Sequence, residues 1–173
     1  GYNAVRDGKE IPTDDTYTFA WASNDTLRIT GLTDEGKKKE ALVIPDTVTI
    51  GSKAYKVVEI ANAICRQDGS ANGNKSILQS VTIGANVEKI GSQAFQYCRK
   101  LKRVDFSRAT SLKTIGSYAF YYTADGKAYD LTACTKLESI GDAAFQYSNL
   151  SVLKLPGNMT SFGKDVTAGT NVY

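Results

Sequence analysis

Ile90-Gly91-Ser92-Gln93-Ala94-Phe95 returns as Ile115-Gly116-Ser117-Tyr118-Ala119-Phe120 and again as Ile140-Gly141-Asp142-Ala143-Ala144-Phe145, 25 residues later each time. An apolar residue stands three positions before each Ile: Val87, Leu112 and Leu137. The flanks repeat too, Asp105-Phe106-Ser107-Arg108-Ala109 answering Asp130-Leu131-Thr132-Ala133-Cys134. Self-similarity at one period, in register three times, is the mark of a stacked array in which no unit buries its apolar face alone.

Weaker copies bracket the strong ones. Phe162-Gly163-Lys164-Asp165-Val166 puts Phe in the place of Ile, 22 residues after Ile140. Ile60-Ala61-Asn62-Ala63-Ile64-Cys65 has Ala for Gly, and matching Ala63-Ile64 to Ala94-Phe95 leaves it one residue short. Atypical end copies are expected where an array must face solvent. Upstream of each signature runs an apolar-x-x-apolar-x-apolar stretch: Leu78, Val81 and Ile83; Leu101, Val104 and Phe106; Leu150, Leu153 and Leu155. In the remaining copy Tyr129 and Leu131 keep the pattern and Gly126 replaces the first Leu. The alternation predicts a short strand with one buried face. A second extended piece, Val87-Glu88-Lys89-Ile90 and its counterparts, follows after a turn. Gly91, Gly116 and Gly141 then allow a sharp bend or a close backbone approach. The Ser-x-Ala-Phe portion is expected to form one helical turn, capped by Ser92, Ser117 or Asp142. Stacked coils would set Phe95, Phe120 and Phe145 in a ladder about 5 Å apart, the Ala before each Phe leaving clearance.

Leu-x-x-Val-x-Ile followed by Val-x-x-Ile-Gly-x-x-Ala-Phe-x-x-Cys resembles the BspA-like leucine-rich repeats of host-associated bacteria. The family's Cys appears as Cys98, with Thr123 and Ser148 in its place later and Cys65 near the same position in the early copy. Thr26–Gly31, Leu42–Val48 and Tyr55–Ile60 look like the strand-rich unit that opens such arrays. The resemblance spans roughly residues 17–166. It implies a β-rich α/β fold: a right-handed leucine-rich-repeat solenoid, a horseshoe-like array of five to six coils with short strands and single helical turns. On this reading residues 1–173 are one domain, with an extension over 1–16, the opening unit over 17–60, repeats over 61–166 and a tail over 167–173. The resemblance also implies export to the cell surface, periplasm or medium, with a leader outside this sequence, and adhesion to host proteins.

Composition narrows the chemistry. The 173 residues are 42% hydrophobic and 23% charged, ordinary for a folded domain. A net charge of +3 from 21 basic and 18 acidic residues leaves no electrostatic footprint for nucleic acid. Lys37-Lys38-Lys39 lies among acidic neighbours and reads as a solvated turn. Histidine is absent, which removes histidine bases, Ser-His and Cys-His pairs and zincin motifs. Cys65, Cys98 and Cys134 are odd in number and widely spaced, so they read as small buried hydrophobes, not as a disulfide framework, a metal site or a nucleophile. No apolar run approaches the roughly 18 residues of a membrane span. No cofactor or metal is expected.

Two surfaces are candidates for binding. The outward strand positions align into rows, with Thr82, Asp105, Asp130 and Lys154 in one and Ser80 and Arg103 in another. Asp105 and Asp130 could also be read as a carboxylate pair, a weak glycosidase signal without other catalytic groups. A second row is formed by Tyr97, Tyr122 and Tyr147, each two residues after the repeated Phe, with Tyr121 beside them. The loop over 67–75 lengthens the gap from Ile60 to Ile90 to 30 residues, that over 121–129 contributes two tyrosines just after Phe120, and neither carries a phosphate-binding glycine pattern. The expected function is a non-catalytic binding or adhesion module for a protein or glycan. A structural spacer within a larger surface protein and a carbohydrate-processing accessory are the alternatives. The last coil's edge is open to edge-to-edge self-association.

Overall fold

The computed structural model describes residues 4–6, 9–12, 14–66, 77–123, 128–148, 150, 152–157 and 159–167. The chain opens with a hairpin, β1 (Ala4–Arg6) and β2 (Lys9–Ile11), followed by the antiparallel pair β3 (Tyr17–Trp21) and β4 (Thr26–Leu32). A single 3₁₀ turn at Gly36–Lys38 precedes β5 (Ala41–Val43), β6 (Thr47–Ile50) and β7 (Lys53–Ile60). Each repeat then contributes two short strands. The first of each pair are β8 (Ser80–Thr82), β10 (Arg103–Asp105), β12 (Ala128–Asp130) and β14 (Val152–Lys154). The second are β9 (Lys89–Ile90), β11 (Thr114–Ile115), β13 (Ser139–Ile140) and β15 (Ser161–Phe162).

The second strands form one parallel ladder whose register is that of the sequence repeat. Ile60, Ile90, Ile115, Ile140 and Phe162 are successive partners. The irregular end copies therefore enter the array in line, Phe162 in the place of Ile. Through β7 this ladder continues into β4 and β3, with β6 on β7, so the opening unit and the repeats share one sheet. The first strands pair as β5-β8-β10 and as β12-β14, again parallel and in register. Inward residues of these strands are buried: Leu42, Val81, Val104, Tyr129 and Leu153.

The corner between coils departs from expectation. Gly91–Cys98 and its counterparts are not helical. They are tandem turns in which the N–H groups of Ala94, Gln96 and Cys98 bond to the carbonyls of Gly91, Gln93 and Phe95. The alternate N–H groups leave the coil, those of Gln93, Phe95 and Tyr97 reaching the carbonyls of Ser117, Ala119 and Tyr121 at 2.8–2.9 Å. A helix would keep all of them inside one segment. The geometry requires a left-handed residue at each corner: Ala63, Gln93, Tyr118 and Ala143 have φ of 55–60°, and Tyr97, Tyr122 and Tyr147 have φ of 54–62°. Left-handed backbone costs about 1–2 kcal/mol for a residue with a Cβ, and the cross-coil hydrogen bonds hold it in place.

The aromatic ladder is present. Phe95, Phe120 and Phe145 are fully buried, with centroids 5.4 Å apart at both steps and planes within 12° and 5° of parallel. Phe106 and Tyr129 meet this stack edge-on at 5.9–6.0 Å. One expectation about the early copy is corrected. The Cys65 N–H bonds to the Ala94 carbonyl as the Phe95 N–H bonds to that of Ala119. Cys65 thus occupies the place of the Phe, not that of Cys98, and the copy is not a residue short: Ala63 takes the left-handed place of Gln93. The core runs on into the opening unit, where Trp21 meets Tyr55 edge-on at 5.0 Å and the Tyr17 hydroxyl donates to the Val43 carbonyl at 2.7 Å.

Phe120→Ala, which removes a ring stacked on both faces, is expected to lower unfolding free energy by about 3–5 kcal/mol in urea denaturation. Gly116 is a close-approach position: a Cβ there would stand 2.5 Å from the Ser92 backbone nitrogen. Gly116→Ala is accordingly expected to cost about 1–3 kcal/mol or more. Gly157→Ala, with nothing within 4 Å of the added carbon, should stay within about 0.5 kcal/mol. Thermal melts of the two variants side by side check the contrast.

Candidate binding site

The strand face places its residues in register within each sheet. Ser80 lies beside Arg103 and Thr82 beside Asp105, while Asp130 lies beside Lys154. Among the described residues no hydrogen-bonded ladder joins β10 to β12, although Phe106 and Tyr129, which follow and lie within them, meet at 6.2 Å. Arg103, Asp105, Asp130 and Lys154 are exposed; Ser80 and Thr82 are half-buried. The carboxylates bond within their own turns. Asp105 accepts from the Ser107 N–H at 2.8 Å, and Asp130 accepts from the Thr132 N–H at 2.9 Å and hydroxyl at 2.6 Å. The Ser107 and Thr132 hydroxyls, then their N–H groups, hold both carboxyls below the ordinary range. These are Asx turns that end the strand, and they explain the repeated Asp-x-Ser/Thr without a ligand. Asp46 is similar: the Ala85 N–H at 2.9 Å lowers its pKa first, helped by an ion pair with Arg108.

The opposite character belongs to the corner. Tyr97, Tyr122 and Tyr147 do form a row, Tyr97 to Tyr122 at 5.9 Å and Tyr122 to Tyr147 at 5.5 Å between centroids. Two further tyrosines join them. Tyr121 lies edge-on to Tyr97, Tyr118 and Tyr147 at 5.5, 5.2 and 5.7 Å. The Arg99 guanidinium sits over the Tyr122 ring at 4.6 Å, a cation–π contact. Tyr118 and Tyr122 are each 38% exposed and Tyr147 42%, among the few large hydrophobic side chains left open to solvent. Desolvation, then the neighbouring phenols, push the Tyr121 pKa up. Tyr118 and Arg99 escape a reading by repeat position because each occurs in one coil only. Tyr118 sits at the left-handed corner, four residues before Tyr122, a position that no residue type at the equivalent places marks in the sequence.

The three cysteines are buried and none forms a disulfide. Burial pushes Cys65 up to about 12 and Cys134 to about 11, which leaves essentially no thiolate at neutral pH. Among the described residues no group of three His, Cys, Asp or Glu could hold a metal ion, and no helix is long and apolar enough to cross a membrane. The expected loop over 67–75, part of that over 121–129, and the tail beyond residue 167 lie outside the described residues.

A family model for the BspA type leucine rich repeat region matches residues 69–173 as six copies. Among solved structures, a leucine-rich repeat protein from Bacteroides ovatus superposes with a TM-score of 0.66 at 24% identity, covering 90% of this chain and 38% of that one. The pneumococcal vaccine antigen PcpA gives 0.64 at 19% identity, over 92% of this chain and 47% of its own. A leucine-rich repeat protein from Bacteroides capillosus gives 0.57 at 23% identity, over 84% and 98% respectively. This chain thus spans less than half the length of the first two. No curated protein matched.

The lowered carboxyls make a pH prediction. A carboxyl whose folded pKa is depressed contributes stability above its unfolded value near 3.9, and loses it as pH falls through the folded value. Urea midpoints should therefore hold from pH 7 to about 5 and decline below about 4. Asp105→Asn with Asp130→Asn should flatten that acid decline; an unchanged slope would remove these two groups from it.

Proposed function

Because the chain belongs to the BspA-type leucine-rich repeat family, we propose that it serves as a non-catalytic binding module of an exported, cell-surface protein, engaging a protein or glycan partner through its tyrosine-lined corner. The observation that carries this reading is the five-tyrosine cluster of residues 97, 118, 121, 122 and 147 with Arg99. Tyr and Arg are the residues that dominate interface energetics, because they combine large contact area with a polar end. Their mutual edge contacts hold the rings in place before a partner arrives, which lowers the ordering cost of binding. The strand face supports binding less well: its exposed residues are charged or small, it has no aromatic anchor, and its two carboxylates are engaged in their own turns.

Two arrays, one of immobilised matrix and cell-surface proteins and one of glycans, probed with the purified chain test this reading. Tyr122→Ala, at the centre of the cluster, is expected to weaken the binding so found by about tenfold or more. Arg103→Ala with Lys154→Ala should change it less than about threefold. Circular dichroism and a thermal melt would confirm that the variants fold. Binding that survives Tyr97→Ala, Tyr122→Ala and Tyr147→Ala together would place the site elsewhere, and no binding on either array would leave the module a spacer.

A further inference from the structure

Tyr121 lies in ring contact with every other tyrosine of the corner, and those tyrosines belong to three successive coils. Its ring meets Tyr97 of the preceding coil at 5.5 Å and Tyr147 of the following one at 5.7 Å, both edge-on. Tyr118 and Tyr122, of its own coil, lie at 5.2 and 5.9 Å. Edge-on contact brings the rim of one phenol, which carries the carbons ortho to its oxygen, against the neighbouring ring. Hydrogen bonds across the coils fix the backbone beneath. The Tyr97 N–H donates to the Tyr121 carbonyl and the Tyr122 N–H to that of Gln146, both at 2.9 Å. Tyr118, Tyr122 and Tyr147 are open to solvent, so an oxidant reaches them and ring contact passes the electron vacancy on to Tyr121.

Phenols give up one electron readily, and the thiols and the indole, which compete for oxidising equivalents, are shielded. Cys65, Cys98 and Cys134 are buried. Desolvation pushes Cys65 up to about 12 and Cys134 to about 11, and a buried, protonated thiol reacts poorly. Trp21 is buried in the opening unit. Tyr121 is a neutral phenol at ordinary pH, since desolvation and then the neighbouring phenols raise its pKa. Its oxidation therefore releases a proton with the electron. Two phenoxyl radicals held in contact couple with one another before either meets a second chain, because fixed neighbours react at high effective molarity.

We infer that the tyrosine corner is a site of oxidative cross-linking, at which a haem peroxidase with hydrogen peroxide joins Tyr121 to Tyr97 or Tyr147 and so staples neighbouring coils. Each of the two phenols loses one electron and its hydroxyl proton. The resulting radicals join at their ortho carbons in one new C–C bond, and the two hydrogens displaced from those carbons return to the oxygens. Two electrons and two protons leave in all, and hydrogen peroxide takes them up to become two waters. The link ties adjacent coils covalently and restricts the unfolded chain, as a disulfide does. It needs no partner beyond the oxidant, so it stands apart from the binding role proposed for the same residues.

Treatment of the dilute full chain with a haem peroxidase and hydrogen peroxide tests the inference. Expected is dityrosine fluorescence that stays with the monomer on denaturing electrophoresis, with cross-linked peptides pairing Tyr121 with Tyr97 or Tyr147 by mass spectrometry. Tyr121→Phe with Tyr122→Phe keeps both rings but leaves no two phenols of the corner in contact. Monomer fluorescence in that double variant should fall about fivefold or more. The oxidised chain should melt about 5 °C or more above the untreated one, a rise that the treated double variant does not show. Should the double variant not fold, the mapped peptides and the melt of the unsubstituted chain carry the test. The inference is overturned by fluorescence found only in chain dimers, by links that omit Tyr121 or join it only to Tyr118, by undiminished yield in a folded double variant, or by an unchanged melting temperature. No binding partner is added, so these outcomes and those of the arrays are read separately.

Discussion

Each coil satisfies its backbone groups on the next coil, at one register, along three lines at once. The two strand ladders are two of them; the third is the corner, where Gln93, Phe95 and Tyr97 donate to Ser117, Ala119 and Tyr121. Buried N–H and C=O groups must be paired, and in a coil of about 25 residues, most of them in turns, the partners can only come from a neighbour. This one constraint explains the repeated residues. Backbones that hydrogen-bond across the corner approach too closely for a Cβ at Gly116 or Gly141, where the added carbon would meet the preceding coil's backbone at 2.4–2.5 Å. Ala94, Ala119 and Ala144 are fully buried in the same seam. Once the coils are set at hydrogen-bonding distance, rings at equivalent places stack at 5.4 Å.

The opening unit follows from the same requirement at the array's end. A solenoid edge presents unpaired backbone and an uncovered core. Here β7 pairs with β9 on one side and with β4 on the other, and β3 closes the sheet antiparallel to β4. Tyr17, Phe19 and Trp21 bring large buried side chains to this end. What they do not restore is the rung at Cys65, which holds the place of the ring in the first corner. The core is continuous across the junction, yet its shape changes from stacked planes to a conventional sheet filling.

How much of this is legible in the sequence depends on whether a residue's role repeats. Ile, Gly, Ala and Phe recur at a fixed spacing for packing reasons, so the coils, the register and the ring stack can be read from them. The weak copy that opens on Phe162 is legible too, since Phe162 takes the register place of Ile, although its ring is 54% exposed at the last coil. The corner was not. Its left-handed positions are held by Gln93, Tyr118 and Ala143, and none of these types signals positive φ as Gly or Asn would. The Ser-x-Ala-Phe run therefore looked helical by composition, while the cross-coil bonds that decide the matter are not local. The same blindness misaligned Cys65 by one place. On the surface, Tyr97, Tyr122 and Tyr147 are readable because they repeat and Tyr121 because it adjoins them, whereas Tyr118 and Arg99 are brought to them by the corner's geometry. Asp105 and Asp130 looked like surface charges, and the hydroxyls two residues on, which give them their role, were read only as part of the repeat.

The left-handed corner also bears on the choice between a binding face and a plain one. The backbone there is dictated by the cross-coil bonds, and Ala63, Gln93, Ala143 and Asp165 adopt it as well as tyrosines do. Folding alone would favour Gly at such places, since each non-Gly residue costs about 1–2 kcal/mol. Tyr97, Tyr118, Tyr122 and Tyr147 accept that cost at four places in three coils, and three of these rings remain more than a third exposed. Packing over the coil recovers part of the cost through ring contacts at 5.2–5.9 Å. It does not account for leaving the rings open to water, where a large aromatic surface has an unfavourable hydration free energy. Rings that strain their backbone and are then left uncovered are what the binding role proposed above calls for. The frame would present any side chain at these places equally well, so specificity in such a module is a property of the corner residues and stability a property of the seam beneath them.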